Sequence, residues 1–259
     1  MRCNRHVTET VGIIGVGRMG LPVCARLLSA GFKVTATDIL PEREADVRSA
    51  GADWIAGTEG VASIADVLLT LLPGSSELAE AMALALPALR PHTTWIDLTS
   101  AAPATARSLV DRAESLRIEC LDAPVGGGPA AAAAGSLQLF VGGRGGAVER
   151  HRALLESLGR IDHVGENGTG YITKLLVNLL WFGHAVAVGE ALLLGRRAGI
   201  DLDVLRSVIG DSAAASEFMR RDVPALLEGD YLASFGVHRC HEELEAVASL
   251  ADELDVPFE

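Results

Sequence analysis

Short β-branched segments alternate with helical stretches through about the first 165 residues. The segments that are apolar and short enough to be buried strands are residues 11–16, 33–38, 66–73, 93–100, 118–125 and 137–143. Helical stretches separate most of them, beginning with residues 21–29, which end at Gly31. Strands and helices that alternate at this spacing predict an α/β fold with a doubly wound parallel sheet.

The pattern changes in the last third of the chain, where apolar residues recur at helical spacing. We therefore expect a Rossmann domain over residues 1–163 and an all-helical domain over residues 164–259. Residues 175–194 have the length of a membrane span. Polar Asn178 and Glu190 interrupt this segment, and lipid tolerates such side chains poorly. We expect a buried helix there and no membrane partner.

Charge and cysteine usage narrow the class of protein. A net charge of −12 without a basic stripe argues against nucleic acid as a partner. The four cysteines are far apart and form no CxxC pair, which predicts reduced thiols in a cytoplasmic protein. His238 and His241 lie close in "HRCHEE", but no second pair has suitable spacing. We expect a solvated helix start at this point and no metal site.

The segment "GVGRMG" follows the first predicted strand and opens a helix. Gly15 would permit a tight turn, Gly17 would let the backbone approach a pyrophosphate, and Gly20 would let helix and strand pack closely. The helix start, with Arg18 and Met19, would offer N–H groups to the phosphates. A glycine-rich turn without a ligand is the alternative, but the order of strand, glycines, helix and strand favours a dinucleotide.

Asp38 ends the second predicted strand, 18 residues after Gly20. A carboxylate there can accept hydrogen bonds from an adenosine ribose and would repel a 2′-phosphate. NAD is therefore favoured over NADP. Arg43 follows closely in sequence and keeps NADP open as the alternative.

Lysine is rare in this chain, which contains 20 arginines and only Lys33 and Lys174. Lys174 begins an apolar helix, and Asn178 shares its face because positions four apart differ by about 40° in azimuth. A lysine can lose its proton when its charge is disfavoured, whereas arginine cannot. The pair predicts a proton-transfer lysine oriented by an amide. A lysine that reaches solvent beside a capping asparagine is the alternative.

Together these segments resemble the β-hydroxyacid dehydrogenase family, over residues 11–257. The matching segments are "GIIGVGRMG", "LLP" (71–73), "IDLTS" (96–100), "DAPVGGGPAAAAAGSL" (122–137) and "GTGYITKLLVN" (168–178). The resemblance implies that Lys174 is the general acid/base and that Asn178 holds the substrate. It also implies that the N–H groups of Gly126, Gly127 and Gly128 receive a carboxylate.

The same resemblance implies that Leu72, Pro73 and Ser100 touch the cofactor, and that the protein is a homodimer or homotetramer. Three features depart from the family pattern. Gly126 stands where the family has a serine, and Glu242 and Glu243 stand where it has a lysine and an aspartate. The sequence also ends about one helix short of typical members, so we expect the last family helix to be missing.

These features predict an NAD(P)-dependent oxidoreductase that transfers a hydride reversibly between the nicotinamide and a small, carboxylate-bearing β-hydroxy acid or its semialdehyde. Two other functions are open. Glu242 and the short end would suit a binding module that keeps the cofactor fold without catalysis. An enzyme similar to imine reductases would use the same scaffold, but those relatives usually lack the lysine.

Overall fold

The structure is a computed structural model that describes residues 9–229 and 236–258. Within these residues one sheet contains nine strands: β1 (Thr10–Ile14), β2 (Lys33–Thr37), β3 (Asp53–Trp54), β4 (Val67–Thr70), β5 (Thr94–Asp97), β6 (Glu119–Asp122), β7 (Val125–Gly126), β8 (Leu137–Gly142) and β9 (Gly159–Gly165). The helices are α1 (Gly20–Ser29), α2 (Arg43–Ala50), α3 (Thr58–Ile64), α4 (Ser75–Ala88), α5 (Pro103–Ser115), α6 (Gly128–Ala134), α7 (Gly145–Arg150), α8 (Arg152–Leu158), α9 (Thr169–Arg197), α10 (Leu202–Gly210), α11 (Glu217–Leu227) and α12 (Val237–Glu253).

The sheet has the strand order β3-β2-β1-β4-β5-β6-β8-β7, and β9 pairs with β8. Along the part of the sheet with the order β3-β2-β1-β4-β5-β6, each strand is parallel to its neighbour, as expected for the predicted parallel sheet. Beyond them β8 runs antiparallel to β6 and β7, and β9 runs parallel to β8. The strand order reverses direction between β1 and β4, and ligands of such sheets bind at the carboxyl ends of the strands at that point.

Helices cover both faces of this sheet, which explains why its central strands are apolar throughout. Val67 and Leu69 of β4 pack with helices α1, α2, α6, α7 and α8, whereas Leu68 between them packs with α3, α4 and α5. All four residues of β4 and of β5 are buried. The Rossmann fold expected from the sequence is confirmed.

Two of the predicted strands are shorter than expected, the predicted strand over residues 118–125 divides between β6 and β7, and three strands were not predicted. Only Val67–Thr70 of residues 66–73 and Thr94–Asp97 of residues 93–100 are strand. Their remaining residues form loops at the carboxyl edge of the sheet. The unpredicted strands are β3, β7 and β9, and all three lack the buried apolar run of a central strand because their residues are partly exposed.

The chain divides into two compact units, Met1–Lys174 and Leu175–Glu259. The first contains the sheet and the start of α9, and the second contains the remainder of α9 with α10 to α12. A cluster of Val188, Leu192, Phe218, Met219 and Val223 forms the buried centre of the second unit. Asp201 and Ser216 cap α10 and α11, because the side chain of each accepts a backbone N–H bond from the first turn.

Helix α9 is less buried within the chain than we expected. Leu180, Leu193 and Leu194 are more than 60% exposed, and only 28% of its most apolar window is buried. Among the residues that the structure describes, α9 is the one helix whose length and composition would suffice to cross a membrane. The sequence pattern predicted the helix but not its exposed apolar face.

Candidate active site

The turn after β1 requires glycine at the first and last of its three glycine positions. Gly15 has a φ of +94°, and a Cβ atom there would lie 2.3 Å from the carbonyl oxygen of Leu71. At Gly20 a Cβ atom would lie 1.9 Å from the carbonyl oxygen of Gly15. The backbone therefore folds back on itself so closely that neither position has room for a side chain.

Gly17, between them, is in a different environment. A Cβ atom added there would meet nothing within 4 Å. The protein itself does not require glycine at this position, whereas a pyrophosphate that approaches the turn would. Met19 lies at the N-cap of α1 and makes no side-chain hydrogen bond to the helix. The Leu21 N–H already donates to the Gly17 carbonyl oxygen and Pro22 has no N–H, so an anion would bind the N–H groups that precede Leu21. This open turn fits a dinucleotide.

Asp38 lies directly after β2 and contacts the same turn. Its Oδ2 atom accepts a hydrogen bond from the Val16 N–H at 2.7 Å, and Oδ1 accepts one from the Leu40 N–H at 3.0 Å. Each carboxylate oxygen has a second lone pair for a ribose hydroxyl. Arg43, the alternative contact for a 2′-phosphate, pairs with Asp46 at 3.3 Å.

Two loops follow β4 and β5 at the same edge of the sheet. The first contains Leu72 and Pro73, the second contains Ser100, and the Leu72 N–H donates to Thr99 Oγ1 at 3.1 Å. A third segment follows β6, where Gly127 and Gly128 have φ values of +116° and +73°. The structure thus brings the predicted cofactor residues and the predicted carboxylate site to one edge, while their roles remain predictions.

Helix α9 begins at this edge, because a carboxylate from β6 caps its first turn. Asp122 accepts hydrogen bonds from the N–H groups of Gly168 at 2.8 Å and Tyr171 at 3.1 Å. A Cβ atom at Gly170 would lie 2.3 Å from the carbonyl oxygen of Phe140, so glycine allows the helix to approach the sheet. Burial raises the pKa of Asp122, and these backbone hydrogen bonds oppose the rise.

A second buried carboxylate, Asp97 at the end of β5, holds the same helix. The Tyr171 hydroxyl donates to Asp97 Oδ2 at 2.7 Å. Burial raises the pKa of Asp97 to about 6, against the opposing effect of hydrogen bonds from Thr70, Thr99 and Tyr171. Burial and the negative charge of Asp97 raise the pKa of Tyr171 well above its usual range, so the phenol keeps its proton.

The predicted proton-transfer residues are on α9. Lys174 is half-buried, is the last residue of the first unit, and lies one turn after the residues that Asp122 and Asp97 hold. Asn178 belongs to the second unit and is 7% exposed. Its Nδ2 atom donates to Glu243 Oε2 of α12. Glu242 faces elsewhere and pairs with Arg239 at 2.7 Å.

Sequence reasoning missed Asp97, Asp122 and Tyr171, although all three lay within segments that it singled out. A usable signal was present: each aspartate is the last residue of a buried parallel strand. Carboxylates at adjacent strand ends must lie close together at one edge of the sheet.

The segment "HRCHEE", for which we expected a solvated helix start, lies in the first turns of α12. This helix begins at Val237, and His238 and His241 are exposed.

Comparison with known proteins covers nearly the whole chain. Residues 10–172 match the NAD binding domain of 6-phosphogluconate dehydrogenase, and residues 168–259 match the NAD-binding family of NADP-dependent 3-hydroxyisobutyrate dehydrogenase. The chain is 30% identical over 253 residues to 2-(hydroxymethyl)glutarate dehydrogenase from Eubacterium barkeri, which covers 96% of this chain and 84% of that protein.

Solved structures share the fold. The structure of Mycobacterium tuberculosis 3-hydroxyisobutyrate dehydrogenase with L-serine has a TM-score of 0.90 at 27% identity, covering 97% of this chain and 89% of that one. An imine reductase from Pseudomonas sp. has a TM-score of 0.71 at 19% identity, covering 96% of this chain and 88% of that one. At that identity the second likeness concerns the fold alone.

Proposed function

The chain belongs to the β-hydroxyacid dehydrogenase family, and we propose that it transfers a hydride reversibly between a nicotinamide cofactor and a small β-hydroxy acid or its semialdehyde. One observation carries the proposal. Within the first unit, the helix turn that bears Lys174 is fixed to the same sheet edge as the open glycine turn. A proton-transfer group and a dinucleotide cradle therefore share one edge.

Each group in the site has a distinct task in this reaction. When bound, the nicotinamide supplies the hydride acceptor or donor. Lys174 removes the proton of the substrate hydroxyl as the alcohol is oxidised and returns it to the oxygen during reduction. Asn178 is the proposed substrate contact on the same helix. The N–H groups of Gly126 to Gly128 receive the carboxylate, and the left-handed backbone of Gly127 and Gly128 turns them in a way that other residues rarely adopt.

Relatives with known names suggest the substrate class. Substrates named for them, 2-(hydroxymethyl)glutarate and 3-hydroxyisobutyrate, and the L-serine bound in the mycobacterial structure all have a hydroxyl on the β-carbon of a carboxylic acid. We propose that the substrate of this chain is a small acid of the same kind. The carboxylate would anchor it while the β-hydroxyl meets Lys174.

NAD is the proposed cofactor in preference to NADP. Asp38 supports this choice because its carboxylate is held toward the glycine turn by the Val16 N–H. A 2′-phosphate would bring a second negative charge to that position. Arg43 already pairs with Asp46, which reduces the charge that it can offer to a phosphate.

A second copy of this chain is the proposed occupant of the exposed face of α9. The exposed apolar residues of this helix are Leu176, Val177, Leu180, Val186, Leu193 and Leu194. An apolar patch of this kind favours a protein interface. Light scattering should give twice the 27.1 kDa of one chain, or four times for a tetramer, and Leu193→Glu should shift the protein toward the monomer.

The proposed location is the cytoplasm. Cys24 and Cys120 form no disulfide, which suits a reducing compartment.

The experiment that tests the function is a panel of 3-hydroxyisobutyrate, 2-(hydroxymethyl)glutarate and L-serine with NAD and NADP, followed at the nicotinamide absorbance. Wild type should turn over at least one acid. Lys174→Met should lower kcat by about 10²–10⁴-fold while the dissociation constant of NADH stays within about two-fold. NADH binding without turnover of any panel acid would favour the non-catalytic module, and turnover of cyclic imines instead would favour the reductase.

A further inference from the structure

Two adjacent strands of the first unit end in buried carboxylates that the proposed chemistry does not use. Asp97 of β5 and Asp122 of β6 are partners in the register of the sheet. Their exposed fractions are 1% and 2%. Burying a carboxylate costs free energy unless hydrogen-bond donors surround it. The donors around each aspartate therefore show which segments of the chain that aspartate holds.

Asp97 is the centre of a network that joins three segments. Its Oδ1 atom accepts from the Thr70 hydroxyl at 2.6 Å and from the Thr99 N–H at 3.0 Å. Thr70 ends β4, and its hydroxyl in turn accepts from the Trp95 indole at 2.9 Å. The Thr99 hydroxyl accepts from Leu72 N–H in the loop after β4. The carboxylate thus ties together the two loops predicted to line the cofactor.

The third segment is the start of α9, which Asp97 reaches through the Tyr171 hydroxyl. Asp122 holds this start through backbone N–H groups, which fixes where the helix begins. Asp122 contacts only backbone groups at the start of the helix, so a side-chain anchor one turn in adds an independent restraint on its rotation. Tyr171 is that anchor, because its fully buried ring and its hydroxyl are both held by the sheet.

Rotation matters for Lys174, which follows Tyr171 by three residues, a rise of about 4.5 Å along α9. With side chains about 6 Å from the helix axis, a rotation of about 10° moves a side chain by about 1 Å. A displacement of about 1 Å at a reacting group can lower the rate by about 10²-fold. A small loss of restraint at Tyr171 is therefore enough to misplace the amine.

We propose that Asp97 is a positioning residue, which through the Tyr171 hydroxyl holds the Lys174 turn of α9 in place relative to the loops of Leu72 and Ser100. This assignment rests on the proposed function, because it supposes that Lys174 acts beside a cofactor on those loops. Asp97 itself touches neither substrate nor cofactor. Its role is to set the position of groups that do.

Tyr171→Phe tests the assignment because it removes one hydroxyl and keeps the ring. With 3-hydroxyisobutyrate, 2-(hydroxymethyl)glutarate or L-serine as the probe, kcat should fall about 10–100-fold while KM and the NADH dissociation constant stay within about two-fold. Asp97→Asn should retain most of the wild-type kcat, since its amide can accept from Thr70 and donate to the Tyr171 oxygen. If Tyr171→Phe folds poorly, the second variant is Asp97→Ala, which removes the acceptor of the Tyr171 hydroxyl and should lower kcat to a similar extent.

Thr94→Val is the matched control. Thr94 begins β5 at the opposite edge, is 3% exposed, and its hydroxyl bonds His151 Nε2 at 2.9 Å. Thr94→Val should lose about as much stability as Tyr171→Phe does, and it should keep the kcat of wild type. Equal kcat in Tyr171→Phe and wild type would overturn the assignment, as would parallel losses of kcat in Tyr171→Phe and Thr94→Val.

Hydrogen–deuterium exchange separates this inference from the proposed function. Exchange of residues 172–176 should be at least about ten-fold faster in Tyr171→Phe than in wild type, because a held turn opens less often. This measurement needs no turnover, so it stands even if wild type oxidises none of the acids tried. Unchanged exchange would show that the hydroxyl does not hold the turn and would refute the assignment.

Discussion

Asn178 donates its side-chain amide N–H to the carboxylate of Glu243. A carboxylate can only accept hydrogen bonds, so the amide nitrogen must face Glu243 and the amide oxygen must face away. In the family pattern an aspartate stands at the position of Glu243. The longer acid of this chain therefore keeps a carboxylate that fixes which end of Asn178 is presented to a ligand, an acceptor suited to a substrate hydroxyl.

Glu243→Gln should loosen this orientation, because a glutamine side chain can both donate and accept. We expect KM for the hydroxy acid to rise about ten-fold and the NADH dissociation constant to change little, consistent with about 1.4 kcal/mol of lost orientation. Steady-state kinetics with varied acid at saturating NAD measures the effect. Glu242→Gln is the control, since its carboxylate pairs with Arg239, and equal effects in the two variants would refute the role.

The glycine turn offers a pair of substitutions with opposite expected effects. Gly20→Ala places a methyl group 1.9 Å from the Gly15 oxygen and should destabilise the fold by about 1–3 kcal/mol or more. Gly17→Ala meets no protein atom within 4 Å and should leave the melting temperature unchanged while it weakens NADH binding at least about ten-fold. Thermal unfolding and NADH fluorescence measure both. Unweakened binding in Gly17→Ala would place the pyrophosphate elsewhere.

Asp38→Asn should change the choice of cofactor. It removes the charge that opposes a 2′-phosphate and one of two acceptors that hold the turn. We expect the preference for NAD over NADP, measured as a ratio of kcat/KM values, to fall about ten-fold or more. Asp53→Asn removes an equal charge from an exposed position on β3 and should preserve the preference. If Asp38→Asn also preserves it, the ribose lies elsewhere.

Asp97 should make the stability of the protein depend on pH in a defined direction. Its pKa is raised from 3.8 to about 6 by burial, so the folded chain keeps this proton over a range where the unfolded chain has lost it. The contribution of the group to stability is therefore full below pH 4 and declines as the pH rises through 6, by about 3 kcal/mol. Asp97→Asn lacks this titration.

Urea unfolding of wild type and Asp97→Asn between pH 4 and 7 measures that dependence. The difference in unfolding free energy should move in favour of the variant by about 3 kcal/mol as the pH rises over this range. A difference that stays constant with pH would show that the carboxyl titrates alike in the folded and unfolded chains.

The parts of the fold that the sequence predicted are those that local pattern determines. β4 and β5 are buried on both faces, so their sequences "VLLT" and "TWID" are apolar enough to be recognised. β9, with the sequence "GRIDHVG", is mostly half-exposed and has no such run. Its pairing with β8 is decided by tertiary contact rather than by local sequence.

The residues of the site also fall into those that local sequence predicts and those that only tertiary contact determines. The glycine turn, Asp38 and the Lys174–Asn178 pair are separated by a few residues from the elements that place them, so spacing alone predicts them. Tyr171 and Asp97 are 74 residues apart in sequence, and Asn178 and Glu243 are 65 residues apart. Such contacts form only when the strands and helices have packed, and a single sequence carries no pattern for them.

Gly168 and Gly170 lie in the same signature as Lys174, but the backbone conformation and packing of the fold require them to be glycine. Gly170 has no room for a methyl group beside Phe140, and Gly168, whose amide donates to Asp122 at the start of α9, has a φ of +96° that favours glycine. Both constraints come from the fold and hold whatever residue stands at position 174. Under the proposed mechanism, genome searches for this activity should therefore be keyed to the lysine, since the two glycines serve the backbone and not the chemistry.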